Sequence, residues 1–185
     1  PVLKIGAQIS EVLRAHLQLT KLQRRTQVLD LLREVGFDEP ERIASAYPHE
    51  LSGGQRQRVV IAQAIACNPK LLIADEPSSK LDTQLQADIL GLLTNVVRRH
   101  RTALVLITHD PAILIGRADR VAMMYAGCMV EEGITAEVFE NPLHPYTHSL
   151  LQLFNFEQGR RATRVDKLPA ILGEAPDLSC PGPGC

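Results

Sequence analysis

The 185 residues are 45% hydrophobic and 22% charged, enough for one globular domain with a real core. Twenty basic against twenty-one acidic residues give a formal net charge of -1, which removes the overall basic field that would make nucleic acid the main partner. The longest nearly apolar stretch, Val121 to Val130, is far short of the ~20 residues of a membrane helix. The first residues lack a charged-then-apolar export signal, and the four cysteines do not form a secreted disulfide framework. A cytoplasmic chain with reduced thiols is expected.

The sequence opens at Pro1-Val2-Leu3 without an initiator methionine, and helical periodicity is already visible at Ile5, Ile9, Val12, Leu13 and Leu17. A second helix is marked by Val28, Leu31, Leu32 and Val35 and stopped by Gly36. Arg14 and Arg24-Arg25 read as a solvated face. The region up to about Glu50 is therefore helical and local, without a cluster of chemistry-bearing residues.

The stretch Leu51-Ser52-Gly53-Gly54-Gln55-Arg56-Gln57-Arg58 organises the rest. Ser52 stands where an N-cap should, Gln55 is its capping-box partner three residues on, and an Ala/Val/Ile-rich run follows to Cys67. Two glycines in the first turn let a ligand approach the backbone, and unpaired N–H groups at the positive end of the helix dipole favour an anion such as phosphate. An ordinary capped helix with a glycine-rich entry is the plainer alternative.

Asn68-Pro69 breaks that helix, and Leu71-Leu72-Ile73-Ala74 reads as a short strand buried on both faces, closing in Asp75-Glu76-Pro77. Leu85, Ile89, Leu92, Leu93, Val96 and Val97 form one helical stripe that ends in Arg98-Arg99-His100-Arg101, where cations complement the helix C-terminus. Ala103 to Ile107 is a second buried strand, closing in Thr108-His109-Asp110. Strand, helix, strand makes a βαβ unit with parallel strands and a right-handed connection. Parallel alignment brings Asp75, Glu76 and His109 to one carboxyl edge, where ligands bind such sheets. Val121 to Tyr125 and Cys128 to Glu131 flank Ala126-Gly127 as a hairpin, and Thr135 to Glu140 is helical. A Pro-bracketed segment, Asn141-Pro142-Leu143-His144-Pro145-Tyr146-Thr147, leads to Leu150-Leu151, and from about Gly159 the chain reads as a linker.

In order, the Ser52 octet, the apolar run ending in Asp75-Glu76, Leu81-Asp82, and the run ending in His109 resemble the signature sequence, Walker B strand, D-loop and switch histidine of ATP-binding-cassette (ABC) ATPases. The resemblance implies an α/β chain with a partial P-loop NTPase fold: a parallel sheet, a helical subdomain at the N-terminus, and a C-terminal hairpin and tail. It implies ATP and Mg2+ as ligands, with Asp75 holding the metal through water, Glu76 polarising the attacking water, and His109 hydrogen-bonding the γ-phosphate and that water. Ser52, Gly53, Gly54 and Gln55 would touch the γ-phosphate of a nucleotide held by the opposite subunit, and Asp82 would lie in the D-loop that crosses to it. Lys80 departs from the small residue expected beside Asp82.

By the same resemblance, residues 1–50 are a partial helical subdomain that docks on a membrane-spanning partner, 51–140 the catalytic α/β core, and 141–185 an importer-type extension. The Asn141 to Thr147 segment is similar to the C-terminal signature of ATPase subunits serving bacterial dipeptide, oligopeptide and nickel importers. This implies a second ATPase subunit, transmembrane permease subunits and, indirectly, a solute-binding protein as partners, and a peripheral location on the cytoplasmic face of the bacterial inner membrane. Such subunits commonly continue into a cysteine cluster that binds an iron–sulfur centre; Cys180 and Cys185 supply two thiols, short of the four required. No Gly-x-x-x-x-Gly-Lys-Ser/Thr occurs, so the chain reads as a C-terminal fragment lacking the Walker A half and inactive alone. The rival readings are a truncated non-catalytic remnant and a soluble ABC ATPase not linked to transport.

Overall fold

The computed structural model describes residues 2–78 and 82–157. Ser79, Lys80 and Leu81, the tail from Gly159, and Cys180 and Cys185 lie outside the described residues. Helix α1, Ile5–His16, turns Ile5, Ile9 and Leu13 inward at the 3.6-residue spacing. Helix α2, Lys21–Glu34, starts on a capping box between Thr20 and Gln23 and buries Val28, Leu31 and Leu32. It stops at Gly36, whose φ of 85° lets the Phe37 N–H reach back to the Leu32 carbonyl at 3.1 Å. A short helix α3, Pro40–Ser45, with Pro40 at its first position, follows. It is too short for periodicity to reveal.

After a 3-10 turn, Pro48–Glu50, helix α4 runs Gly53–Ile65. Strand β1, Leu71–Asp75, helix α5, Thr83–His100, and strand β2, Ala103–Ile107, form the expected βαβ unit. The strands are parallel and in the register Leu71↔Ala103 to Asp75↔Ile107. Their burial corrects the reading from sequence. Leu72, Ala74, Leu104 and Leu106 face the helices, but Leu71, Ile73, Val105 and Ile107 are large exposed apolar side chains, Ile73 at 62%. An apolar run cannot show whether one face or both will be covered, and among the described residues this two-stranded sheet has helical cover on one face only.

The core beneath that face joins Ile9, Leu13, Leu32, Ile43, Ile65 and Ile89, each at most 1% exposed. Burying each such side chain contributes about 1.5–3 kcal/mol, so the helical segment and the βαβ segment are held as one body by apolar packing. The described residues divide into two compact units, the first ending at His109 and the second beginning at Asp110. In the second, a 3-10 turn at Pro111–Leu114 precedes strands β3, Arg120–Tyr125, and β4, Cys128–Ile134. These pair antiparallel around Ala126 and Gly127, both at positive φ as a tight two-residue turn requires. Helices α6, Thr135–Glu140, and α7, Pro145–Glu157, complete it. Among the described residues no helix is long and apolar enough to cross a membrane.

Candidate functional site

The carboxyl ends of β1 and β2 lie side by side because Asp75 is in register with Ile107. The ladder continues one step: the Glu76 N–H donates to the Ile107 carbonyl at 2.9 Å. Holding that bond while the chain turns away places Glu76 in the left-handed region, at φ 42°. This is an uncommon conformation for a residue with a side chain, and it costs on the order of 1 kcal/mol. The turned carboxylate meets the imidazole two residues past the end of β2, with Glu76 Oε1 2.9 Å from His109 Nδ1. Facing a carboxylate, Nδ1 carries the proton, and in the neutral ring Nε2 then presents a lone pair. Both side chains are exposed, so a ligand can reach the pair.

Asp75 is exposed at the same edge. Among the described residues no three His, Cys, Asp or Glu side chains converge on a metal position. A single carboxylate fits Mg2+, which takes one or two protein oxygens and completes its octahedron with water and phosphate, and does not fit a metal that needs an all-protein cage.

The Ser52 turn forms the anticipated capping box: the Gln55 N–H donates to Ser52 Oγ at 3.3 Å, and the Ser52 N–H donates to Gln55 Oε1 at 3.0 Å. Ser52 and Gly53 are exposed, so the start of α4 is accessible. Gly54 is buried instead, and a Cβ there would lie 2.8 Å from both Cδ atoms of Leu85. Sequence reasoning assigned both glycines to ligand approach; Gly54 also serves close packing of α4 on α5, a partner that spacing in the chain gives no sign of. Asp82 caps α5, its carboxylate accepting from the Leu85 N–H at 2.9 Å. One helix start therefore carries both the Asp82 cap and the Leu85 contact to Gly54.

Comparison with known proteins gives the family. The ABC transporter family pattern matches residues 3–79, and that of the oligopeptide/dipeptide transporter C-terminal region matches 130–185. The oligopeptide transport ATP-binding protein AppD of Bacillus subtilis is 46% identical over 185 residues, all of this chain and 55% of that protein. The dipeptide transport ATP-binding protein DppD of Haemophilus influenzae is 46% identical over 173 residues, 93% of this chain and 52% of that protein. The chain belongs to the ABC transporter family.

This ABC chain spans about half the length of the curated relatives it matches. Solved structures agree on the fold. A dimeric post-hydrolysis state of the ATP-binding cassette MJ0796, bound to ADP and Pi, superimposes with a TM-score of 0.63 at 29% identity, covering 73% of this chain and 58% of that one. The cbiO1 protein of Clostridium perfringens, part of the ABC transporter complex cbiONQ, gives 0.65 at 26% identity, covering 85% of this chain and 59% of that one.

The oligopeptide-type segment of the ABC chain is anchored by a residue that sequence reasoning missed. Glu131 of β4 accepts the N–H groups of Leu143 at 2.8 Å and His144 at 3.1 Å, and the Tyr146 N–H donates to His144 Nδ1 at 3.2 Å. Partial burial alone would push the Glu131 carboxyl up. The Leu143 N–H, the Thr147 hydroxyl, the His144 N–H and the His144 ring outweigh it and hold the group below the ordinary glutamate range. Thr147 itself is fully buried, and its hydroxyl lies outside the geometry of a full hydrogen bond. Tyr125 of β3 packs its ring on Tyr146, with centroids 4.6 Å apart. The Pro-bracketed segment is thus a docked helix start, and nothing within its own residues signals the acceptor twelve positions upstream of Leu143.

Proposed function

We propose that this chain supplies the signature turn, magnesium carboxylate, catalytic glutamate and switch histidine of an ATP-hydrolysing subunit that drives uptake of peptides. The observation that carries the reading is the Glu76–His109 hydrogen bond at the open edge of a parallel sheet. A carboxylate in contact with an imidazole at a strand terminus can orient a water and accept its proton as that water attacks a terminal phosphate. Asp75 would hold Mg2+, whose charge offsets that of the phosphates. His109 keeps Glu76 turned toward the edge and offers Nε2 to a phosphate oxygen or the water. Ser52, Gly53, Gly54 and Gln55, at the positive end of α4, would face the triphosphate bound by a second ATPase subunit. Asp82 would lie at the same dimer interface. ATP would then hold two subunits together until hydrolysis releases them, and permease subunits at the cytoplasmic side of the membrane would respond to that change. The 46% identity to oligopeptide and dipeptide transport proteins supports peptides as cargo.

The test is steady-state hydrolysis of MgATP by the subunit as its host makes it, reconstituted with its permease. Glu76→Gln keeps the shape and removes the base, so turnover should fall at least about 100-fold while MgATP binding persists. Wild-type turnover in that variant would exclude Glu76 as the catalytic carboxylate.

A further inference from the structure

The end of α2 is bonded by both helices that carry the proposed site. Glu34, the last residue of α2, is only 15% exposed, and its Oε1 lies 2.9 Å from His100 Nε2 and 3.3 Å from Arg99 Nη1, both at the end of α5. His100 Nδ1 is in turn 2.8 Å from Asn68 Oδ1, in the loop leading to β1. One residue on, the Val35 carbonyl accepts from Arg58 Nη1 at 2.8 Å, and Arg58 belongs to α4, in the second turn after Ser52. At the next residue a side chain would displace that guanidinium: a Cβ on Gly36 would sit 2.6 Å from Arg58 Nη1, and the φ of 85° disfavours any residue but glycine.

Simple helix stability does not account for this arrangement. A carboxylate at the last position of a helix faces the negative end of the dipole and is disfavoured there. The Arg99 guanidinium and an N–H of His100 offset that locally, and the result is a polar knot among three helices. Helix α5 has 18 residues, about 27 Å, so it reaches from the Asp82 cap beside the proposed site to the knot at its far end. The chain at 34–36 is where the signature helix and the helix following the Walker B strand share one fixed point.

We propose that Arg58 and the Glu34–His100 pair are positioning residues, holding the Ser52 turn at the distance from the Asp75-Glu76 edge that a composite nucleotide site requires. This rests on the ATPase reading, and two measurements separate the failure of one from the failure of the other. The first needs no nucleotide. Hydrogen–deuterium exchange on the 185-residue chain should show protection over residues 51–58 falling at least tenfold in Arg58→Ala and in His100→Leu, with residues 120–134 unchanged. His100→Gln, whose amide still donates to Glu34, should stay within threefold of the parent. Loss confined to residues 31–37, or His100→Gln behaving as His100→Leu, overturns the proposal.

The second is hydrolysis by the host-made subunit, where Arg58→Ala should lower kcat at least tenfold with KM changed less than twofold. Full kcat in Arg58→Ala while Glu76→Gln is inactive overturns the positioning role. Full activity in Glu76→Gln overturns the ATPase reading instead, and the exchange result then decides the knot by itself.

Discussion

Glu76 shows the cost of aiming a side chain from a strand end. Its backbone N–H extends the β1–β2 ladder while its φ of 42° turns the carboxylate onto His109, so the residue bears left-handed strain in exchange for aim. Relieving the strain should therefore separate stability from activity. Glu76→Gly removes a solvent-exposed hydrogen bond to His109, of small energetic weight, and also the cost of a Cβ at positive φ. Against the extra chain entropy of glycine, the expected net effect on unfolding free energy lies between no change and about 1 kcal/mol of stabilisation, with hydrolysis lost. A urea midpoint shifted downward by the equivalent of more than about 1 kcal/mol would show that the contact with His109 outweighs the strain. The residues at this edge were legible because each closes an apolar run of fixed length. The left-handed backbone was not, since nothing in Asp75-Glu76-Pro77 distinguishes it from an ordinary strand end.

At the scale of elements, local signals carried far and long-range contacts were silent. Apolar spacing marked α2 and α5, a stop at Gly36 the end of α2, a capping box the start of α4 and the Ala126-Gly127 turn the hairpin, because each signal is local in the chain. Gly54 against Leu85, Arg58 on Val35 and Glu131 under Leu143 join residues 12 to 31 positions apart, beyond any periodicity. The first of these yields a paired test. Gly54→Ala gains up to about 1 kcal/mol of helix propensity but forces a Cβ to within 2.8 Å of Leu85, and such overpacking costs about 1–3 kcal/mol. The variant should be less stable by about 1 kcal/mol, and Leu85→Ala should cost less in its presence than alone. Strict additivity in denaturant unfolding would mean that α4 and α5 relax apart without strain. Glu131 makes a prediction in pH. Its folded pKa is depressed, so its contribution is present above the unfolded glutamate value of about 4.3 and is lost as pH falls through the lower folded value. Near-ultraviolet circular dichroism from the Tyr125–Tyr146 contact should fade across that acid window, and the same titration of Glu131→Gln should be flat.

For the molecule as a whole, the feature left unaccounted for by its own packing is the outer face of the β1–β2 sheet. Ile73 and Val105 are cross-strand partners on that face, with Leu71 and Ile107 along the same two strands, all between 46% and 62% exposed. The outer edges of both strands carry no further strand among the described residues. A contiguous apolar row beside open backbone edges favours association with any similar surface. The isolated chain should therefore associate as its concentration rises over roughly the micromolar to tens of micromolar range that exposes aggregation-prone species. It should also bind MgATP only weakly, because its 185 residues contain no lysine-bearing phosphate loop. Introducing opposite charges at the paired positions, Ile73→Lys with Val105→Glu, interrupts the apolar row at its centre with a cross-strand ion pair, at a stability cost near the ±0.5 kcal/mol usual for surface sites. Light scattering after size-exclusion chromatography should then show the double variant monomeric where the parent is not, with nucleotide affinity equally weak in both. A parent chain that remains monomeric, melts sharply and reversibly, and binds MgATP at micromolar concentration would mean that the exposed face is no liability and that these 185 residues suffice for the nucleotide.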